Sequence, residues 1–221
     1  MERHFHEELA AFNKKILQMA ALTEKAIFNS TEALMNRDAE LAKAVIKEDE
    51  KIDKLELEID EQAINILARQ QPMAVDLRFI TTGMKINAEL ERIADLAVNV
   101  SQRVLAIVDQ PLLKPLVDIP KLSENARKMV QDVISAFVDR DEQKARNVIL
   151  ADEESDRLKS RIQNDLVNEY IVKDGACAPR AIPLLLVARH LERICDHATY
   201  IAEDIIYMIN AKVVKHHPEM L

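Results

Sequence analysis

The chain has 221 residues, 48% hydrophobic and 31% charged, with only 4% aromatics, two glycines and a formal charge of −8. Its length allows a large core, and scarcity of glycine and aromatics excludes a β-rich architecture, which needs glycine turns and aromatic or β-branched strands. The acidic balance, with a pI near 5.4, excludes the basic surface that a phosphate backbone demands, so no nucleic-acid partner is expected.

Leu9, Phe12, Ile16 and Met19 step by three and four, the apolar stripe of a first helix running to about Asn36. Asp38 is the expected N-cap of a second helix striped by Leu41, Val45, Ile52, Leu55 and Ile59, which Gln71-Pro72 ends. A third helix is predicted from about Ala74 to Val108 on Ile86, Leu90, Ile93, Ala97, Val100, Val104 and Ile107. Residues 109–120 carry Pro111, Pro115 and Pro120 and are expected to be a linker. Three more helices are predicted, at about Lys121–Val138, Asp141–Val172 and Pro179–Val214, with Lys173-Asp174-Gly175 breaking the chain before the last. Helices of about 30 residues would be about 45 Å long.

The second set repeats the first. Residues 33–53 align without a gap on residues 136–156 with nine identities in 21 positions. Glu91-Arg92-Ile93-Ala94-Asp95 recurs as Glu192-Arg193-Ile194-Cys195-Asp196, in a register that differs by two residues. One unit used twice gives the expected fold: all-α, six long antiparallel helices in two tandem elongated three-helix bundles, residues 1–110 and 111–221.

Each unit carries two acidic pairs four residues apart, and residues four apart stack on one helical face. At about 100° per residue, Asp49 and Asp53 lie roughly 75° and 115° from the centre of their helix's apolar stripe, and Glu192 and Asp196 roughly 130° and 170° from theirs, in the same sense. On antiparallel neighbours such flanks turn to the same side. The pairs therefore converge as Asp49 and Asp53 with Glu91 and Asp95, and as Asp152 and Asp156 with Glu192 and Asp196. Four crowded carboxylates invite a hard cation such as iron, manganese, magnesium or calcium; the competing reading is a solvated helix face laced with ion pairs.

His190, Cys195 and His197 flank the second signature, but their repeat counterparts are Glu89, Ala94 and Leu96. A duplicated soft-metal site is disfavoured for that reason, and packing roles are expected. Arg92 and Arg193 are expected to form ion pairs. No glycine loop that could cradle a phosphate exists, and no Glu-x-x-His pair of the di-iron carboxylate bundles occurs. No catalytic activity is expected. Without a charged start followed by an apolar stretch, and with two unframed cysteines, the chain is expected to be cytoplasmic. Apolar side chains beyond the stripes, among them Val172 and Leu184 to Leu186, suggest a homodimer.

Gln71-Pro72-Met73-Ala74-Val75-Asp76-Leu77-Arg78 ahead of the first signature, and Ala188-Arg189-His190-Leu191 running into the second, closely resemble the PhoU family of phosphate-specific transport system accessory proteins over essentially the whole chain. The resemblance implies two tandem three-helix bundles and a cytoplasmic negative regulator of the phosphate regulon. It implies coupling of a phosphate ABC transporter, through its cytoplasmic ATPase, to a membrane sensor histidine kinase. It also implies multinuclear iron on the acid-x-x-x-Asp motifs, with Asp49, Asp53, Glu91, Asp95, Asp152, Asp156, Glu192 and Asp196 as ligands. Tyr200 departs from the family's usual Asn, which the first unit retains as Asn99. The rival readings are a carboxylate-liganded metal enzyme, either phosphohydrolase or oxidase, and a metal-free helical scaffold.

Overall fold

A computed structural model of the protein describes residues 2–213, with side chains from His4 onward. Six α-helices account for most of it: α1 (Glu2–Asn36), α2 (Ala39–Gln70), α3 (Ala74–Ile107), α4 (Asp118–Asp139), α5 (Glu142–Asn164) and α6 (Ala178–Asn210). No strand occurs among the described residues.

The repeat is visible at the joints. Arg37 and Arg140 leave α1 and α4 with φ of 55° and 51°, the left-handed step that usually falls to glycine. The following Asp38 and Asp141 amides reach back to the Ala33 and Ala136 carbonyls at 2.9 and 3.0 Å, closing both helix ends in the Schellman manner. The same two aspartates then cap α2 and α5, accepting from the Leu41 and Lys144 amides at 2.9 and 3.1 Å.

Within each half the three helices pack on one another, α1 with α2 and α3, and α4 with α5 and α6. Between halves α3 lies along α6 and α1 along α4, so α2 and α5 touch α-helices of their own half alone. The α3–α6 seam is antiparallel: Arg78 donates to the Met208 carbonyl at 3.0 Å, Lys85 pairs with Asp204 at 2.7 Å, and Glu89 meets His197. α1 and α4 also run antiparallel, through Thr31 to Ser123 at 2.6 Å and Gln131 to Glu24 at 2.7 Å. Their buried side chains form one continuous cluster across both halves. Within the first half, Gly83 lets α3 approach α1 closely, because a Cβ there would meet Phe12 Cε1 at 2.5 Å and Ile16 Cδ1 at 2.9 Å.

Three boundaries differ from the sequence reading. α4 begins at Asp118, with Pro120 in its first turn rather than in the linker, since a first-turn N–H has no intrahelical partner to lose. α5 ends at Asn164 and continues as a π-helical turn, Asp165–Ile171, closed by the Val172 amide on the Val167 carbonyl at 2.9 Å. The packed residues Leu158, Ile162, Leu166 and Tyr170 repeat strictly every four, which overruns a 3.6-residue turn by roughly 40° per step; a wider turn takes up the surplus. α6 ends at Asn210, and the expected end at Val214 lies outside the described residues. Of the apolar residues read as surplus, Leu184 is core and Val172 is 72% exposed.

Candidate functional site

The two acidic pairs of each half do converge, on the flank where α2 meets α3 and where α5 meets α6. In the first half, burial and then the nearby charges of Asp53 and Asp95 push the Asp49 carboxyl up to about 6. Glu91 is raised by burial, then by Asp95, Glu56, Asp53 and Asp49, and Asp95 by burial and Asp53. In the second half, burial and then Asp196, Asp156 and Glu192 push Asp152 up to about 6. Asp196 is raised by burial, Glu192 and Asp156, against the opposing pull of His197 and Lys159. Carboxylates that disfavour their own ionisation in this way mark a surface under like-charge pressure.

The floor beneath the clusters is buried. Ile52 and Ile93 are buried under the first, and Ser155, Ile194 and Cys195 under the second. Ser155 and Cys195 stand where the first unit has Ile52 and Ala94, so the second floor is more polar. Ser155 takes a hydrogen bond from Asn125 at 2.8 Å. Cys195 is fully buried, donates to the Leu191 carbonyl at 3.5 Å, and has its thiol pushed up to about 12 by burial, the environment of a packing residue. Oδ1 of Asp152 is buried without a partner.

Two further acids, which the sequence reading missed, extend the first cluster. Glu56 is raised by burial and by Asp60 and Asp53, and Asn87 bridges to the Glu56 carbonyl at 2.9 Å and the Asp60 carboxylate at 3.1 Å. Their repeat counterparts are Lys159 and Gln163. Lys159 instead pairs with Glu192 at 3.1 Å. The halves are thus electrostatically unlike: the first is uncompensated where the second carries its own cation. The signal was available in the i, i+3 spacing of Asp53 and Glu56, which puts them on adjoining faces.

The other residues singled out earlier fall elsewhere. His197 is buried and meets Glu89 across the α3–α6 seam at 2.5 Å, while Arg92 pairs with the same Glu89 at 2.8 Å. Tyr200 is exposed and edges onto His197, with ring centroids 5.7 Å apart. Burial, and then Asp196, raise its phenol, which puts its ring beside the second cluster.

All eight candidate donors are oxygen atoms on open helix flanks, a chemistry that suits a hard cation. Among the described residues no three His, Cys, Asp or Glu side chains are already gathered as a coordination sphere. The donors therefore fit such an ion by type and charge, and rotamer changes on α2, α3, α5 and α6 would have to bring them together.

Residues 16–104 and residues 119–205 each match the PhoU domain. The chain belongs to the PhoU family. It is 40% identical over 210 residues to a phosphate-specific transport system accessory protein PhoU homolog of Aquifex aeolicus, covering 95% of both chains. A PhoU homolog 2 of Thermotoga maritima is 32% identical, over the whole of this chain and 94% of its own. Among solved structures, the PhoU crystal structure from Pseudomonas aeruginosa superposes with a TM-score of 0.90 at 34% identity, covering 94% of this chain and all of that one. The two PhoU matches fall one in each half, and the Glu-Arg-Ile-x-Asp signatures lie inside both. PhoU proteins are non-catalytic regulators. No helix among the described residues is long and apolar enough to cross a membrane.

Proposed function

We propose that this protein is a cytoplasmic negative regulator of phosphate uptake and of phosphate-starvation signalling, acting as an adaptor between a phosphate ABC transporter's ATPase and a sensor histidine kinase. The observation that carries this reading is the likeness of the entire chain, both halves together, to accessory proteins of phosphate-specific transport. An acidic double bundle suits docking against the basic cytoplasmic segments of membrane proteins, where Lys and Arg concentrate. Exposed apolar side chains at the α2–α3 bend, Met73, Val75 and Leu77, would give such a contact its desolvated centre. Deleting the gene should leave starvation genes on and phosphate uptake unrestrained in phosphate-rich medium. A deletion strain that still represses a starvation reporter normally in that medium would refute the proposal.

The carboxylate clusters support a second element of the reading, that Asp49, Asp53, Glu91 and Asp95, and separately Asp152, Asp156, Glu192 and Asp196, hold a hard cation such as iron. What favours it is the cost of leaving these acids ionised and unneutralised on a half-buried surface. Such an ion would supply charge neutralisation and tie α2 to α3 and α5 to α6.

A further inference from the structure

Of the eight carboxylates on the two flanks, Glu192 already has a cation of the protein. Lys159 reaches it from α5 to α6, Nζ to Oε1 at 3.1 Å, with side chains 30% and 14% exposed. The other seven enter no ion pair among the described residues. At about 100° per residue, Lys159 lies roughly 20° around α5 from Asp152, so its ammonium stands in line with that acid and on the cluster's own face.

The repeat places acids where the second half has this lysine. Lys159 corresponds to Glu56, and Gln163 to Asp60. On the facing helix, Ala188 corresponds to the buried Asn87, which donates to the Asp60 carboxylate at 3.1 Å and to the Glu56 carbonyl at 2.9 Å. Neither Glu56 nor Asp60 enters an ion pair among the described residues, and three lysines of α1 and α2 pair elsewhere, Lys25 and Lys51 with Glu48 and Lys15 with Glu58. The first flank therefore presents six carboxylates with no ammonium paired to them, and the second presents four with one.

We propose that Lys159 is a tethered cation that makes the second cluster the weaker metal site, so that a hard divalent or trivalent ion loads the first half first. The proposal rests on the cation reading given above and adds which half answers to the ion. Affinity of oxygen-ligand sites for such ions rises with the number of ligand charges. An ion approaching the second cluster is repelled by the ammonium, and it must displace that ammonium to use Glu192. A fully exposed pair would be screened and would matter little, but Glu192 is mostly withdrawn from water, where Coulomb terms are larger. In the second half Lys159 ties α5 to α6 with or without metal. In the first, the cluster acids have no charged tie between α2 and α3 until an ion supplies one, so the metal-dependent contact is the α2–α3 one.

The test titrates chelator-treated full-length protein with manganous ion at constant ionic strength, reading the free ion by electron paramagnetic resonance. Asp156→Asn with Asp196→Asn silences the second cluster, and the matching Asp53→Asn with Asp95→Asn silences the first. The first cluster alone should bind manganese about tenfold or more tightly than the second alone. Adding Lys159→Met to the protein that keeps the second cluster should raise its affinity by about tenfold or more, while Lys159→Arg, which keeps the charge, should leave it near the parent value. The reciprocal Glu56→Lys, in the protein that keeps the first cluster, should weaken binding by a similar factor and decides the matter if Lys159→Met does not fold. Manganese bound by neither single-cluster protein would sink the cation reading and this proposal with it. Equal binding by the two clusters, or affinities that ignore both Lys159→Met and Glu56→Lys, would overturn the role of Lys159 and leave the cation reading standing.

Discussion

Replacing Asp152 by Asn should stabilise the metal-free protein at pH 8 and do progressively less as the pH is lowered. Burial together with Asp196, Asp156 and Glu192 moves this carboxyl from an ordinary aspartate value of 3.8 to about 6. Two units correspond to about 3 kcal/mol in a fully dry site. The side chain is only half withdrawn from water, so screening reduces this by about half, to roughly 1.5 kcal/mol. The folded state binds the proton more tightly than the unfolded chain, so stability falls as pH rises between about 4 and about 6. The penalty is complete above that window and absent below it. Asparagine keeps the shape and removes the charge, and its amide can donate where the Asp152 Oδ1 atom is orphaned. Urea unfolding of chelator-treated protein at pH 8, 6 and 4.5 reads the effect directly. An Asp152→Asn variant that is neutral or less stable at pH 8, or whose difference from the parent does not shrink toward pH 4.5, would show that the cluster is not under like-charge pressure. Adding ferric or manganous ion at pH 8 should stabilise the parent more than the variant, since the ion relieves in the parent the charge that the variant has lost.

Asp95→Asn combined with Asp196→Asn should remove most of the metal that copurifies with or rebinds the protein while leaving far-ultraviolet circular dichroism unchanged; equal metal by elemental analysis in variant and parent would return these acids to the status of a solvated face. Gly83→Ala should lose about 1–2 kcal/mol despite a helix-propensity gain of about 1 kcal/mol, because the added methyl meets the fully buried Phe12 ring at 2.5 Å; a thermal midpoint at or above that of the parent would refute the close α1–α3 contact. Asp38→Ala and Asp141→Ala should each cost about 1 kcal/mol, and nearly the same amount, since each aspartate caps its helix in the same joint at 2.9 and 3.1 Å. A large inequality between them in chemical denaturation would mean that the two joints are not equivalent.

The duplicated joints and acidic pairs were legible because they depend on local chemistry. An Asp that caps a helix, or two acids four apart, mean the same thing wherever the chain goes next. What was not legible depends on the partner helix. The sequence assigned Leu184 to a surplus apolar surface, yet it is buried, in a neighbourhood built by Leu34 of α1, Val104 and Ile107 of α3, and Leu113 and Leu116 of the connecting segment. Glu56 reads in the sequence as one more charged position on α2, whereas in the fold Asp60 and Asp53 act on it and it acts on Glu91 of α3. The π turn after Asn164 was hidden for a different reason: a four-residue repeat is read as helix whichever hydrogen bonds close it.

If each carboxylate cluster holds a cation, as proposed, the arrangement of the halves would couple the two sites. Were the bundles beads on a linker, an ion at the α2–α3 flank would affect only the first. Here α3 and α6, the helices that carry Glu91, Asp95, Glu192 and Asp196, are also the two that lie against each other, and their buried faces belong to a single core. A cation that drew Asp95 toward α2 and another that drew Asp196 toward α5 would both pull on the same seam, where Glu89, Arg92, His197, Lys85 and Asp204 are paired at one end. Such a seam resists a rotation of either helix, because a rotation that suits one cluster would break charged contacts that the other half supplies. α2 and α5, bound only within their own halves, are then the elements free to adjust, and their acids are the ones whose carboxyls, Asp49 and Asp152, are pushed highest toward neutrality.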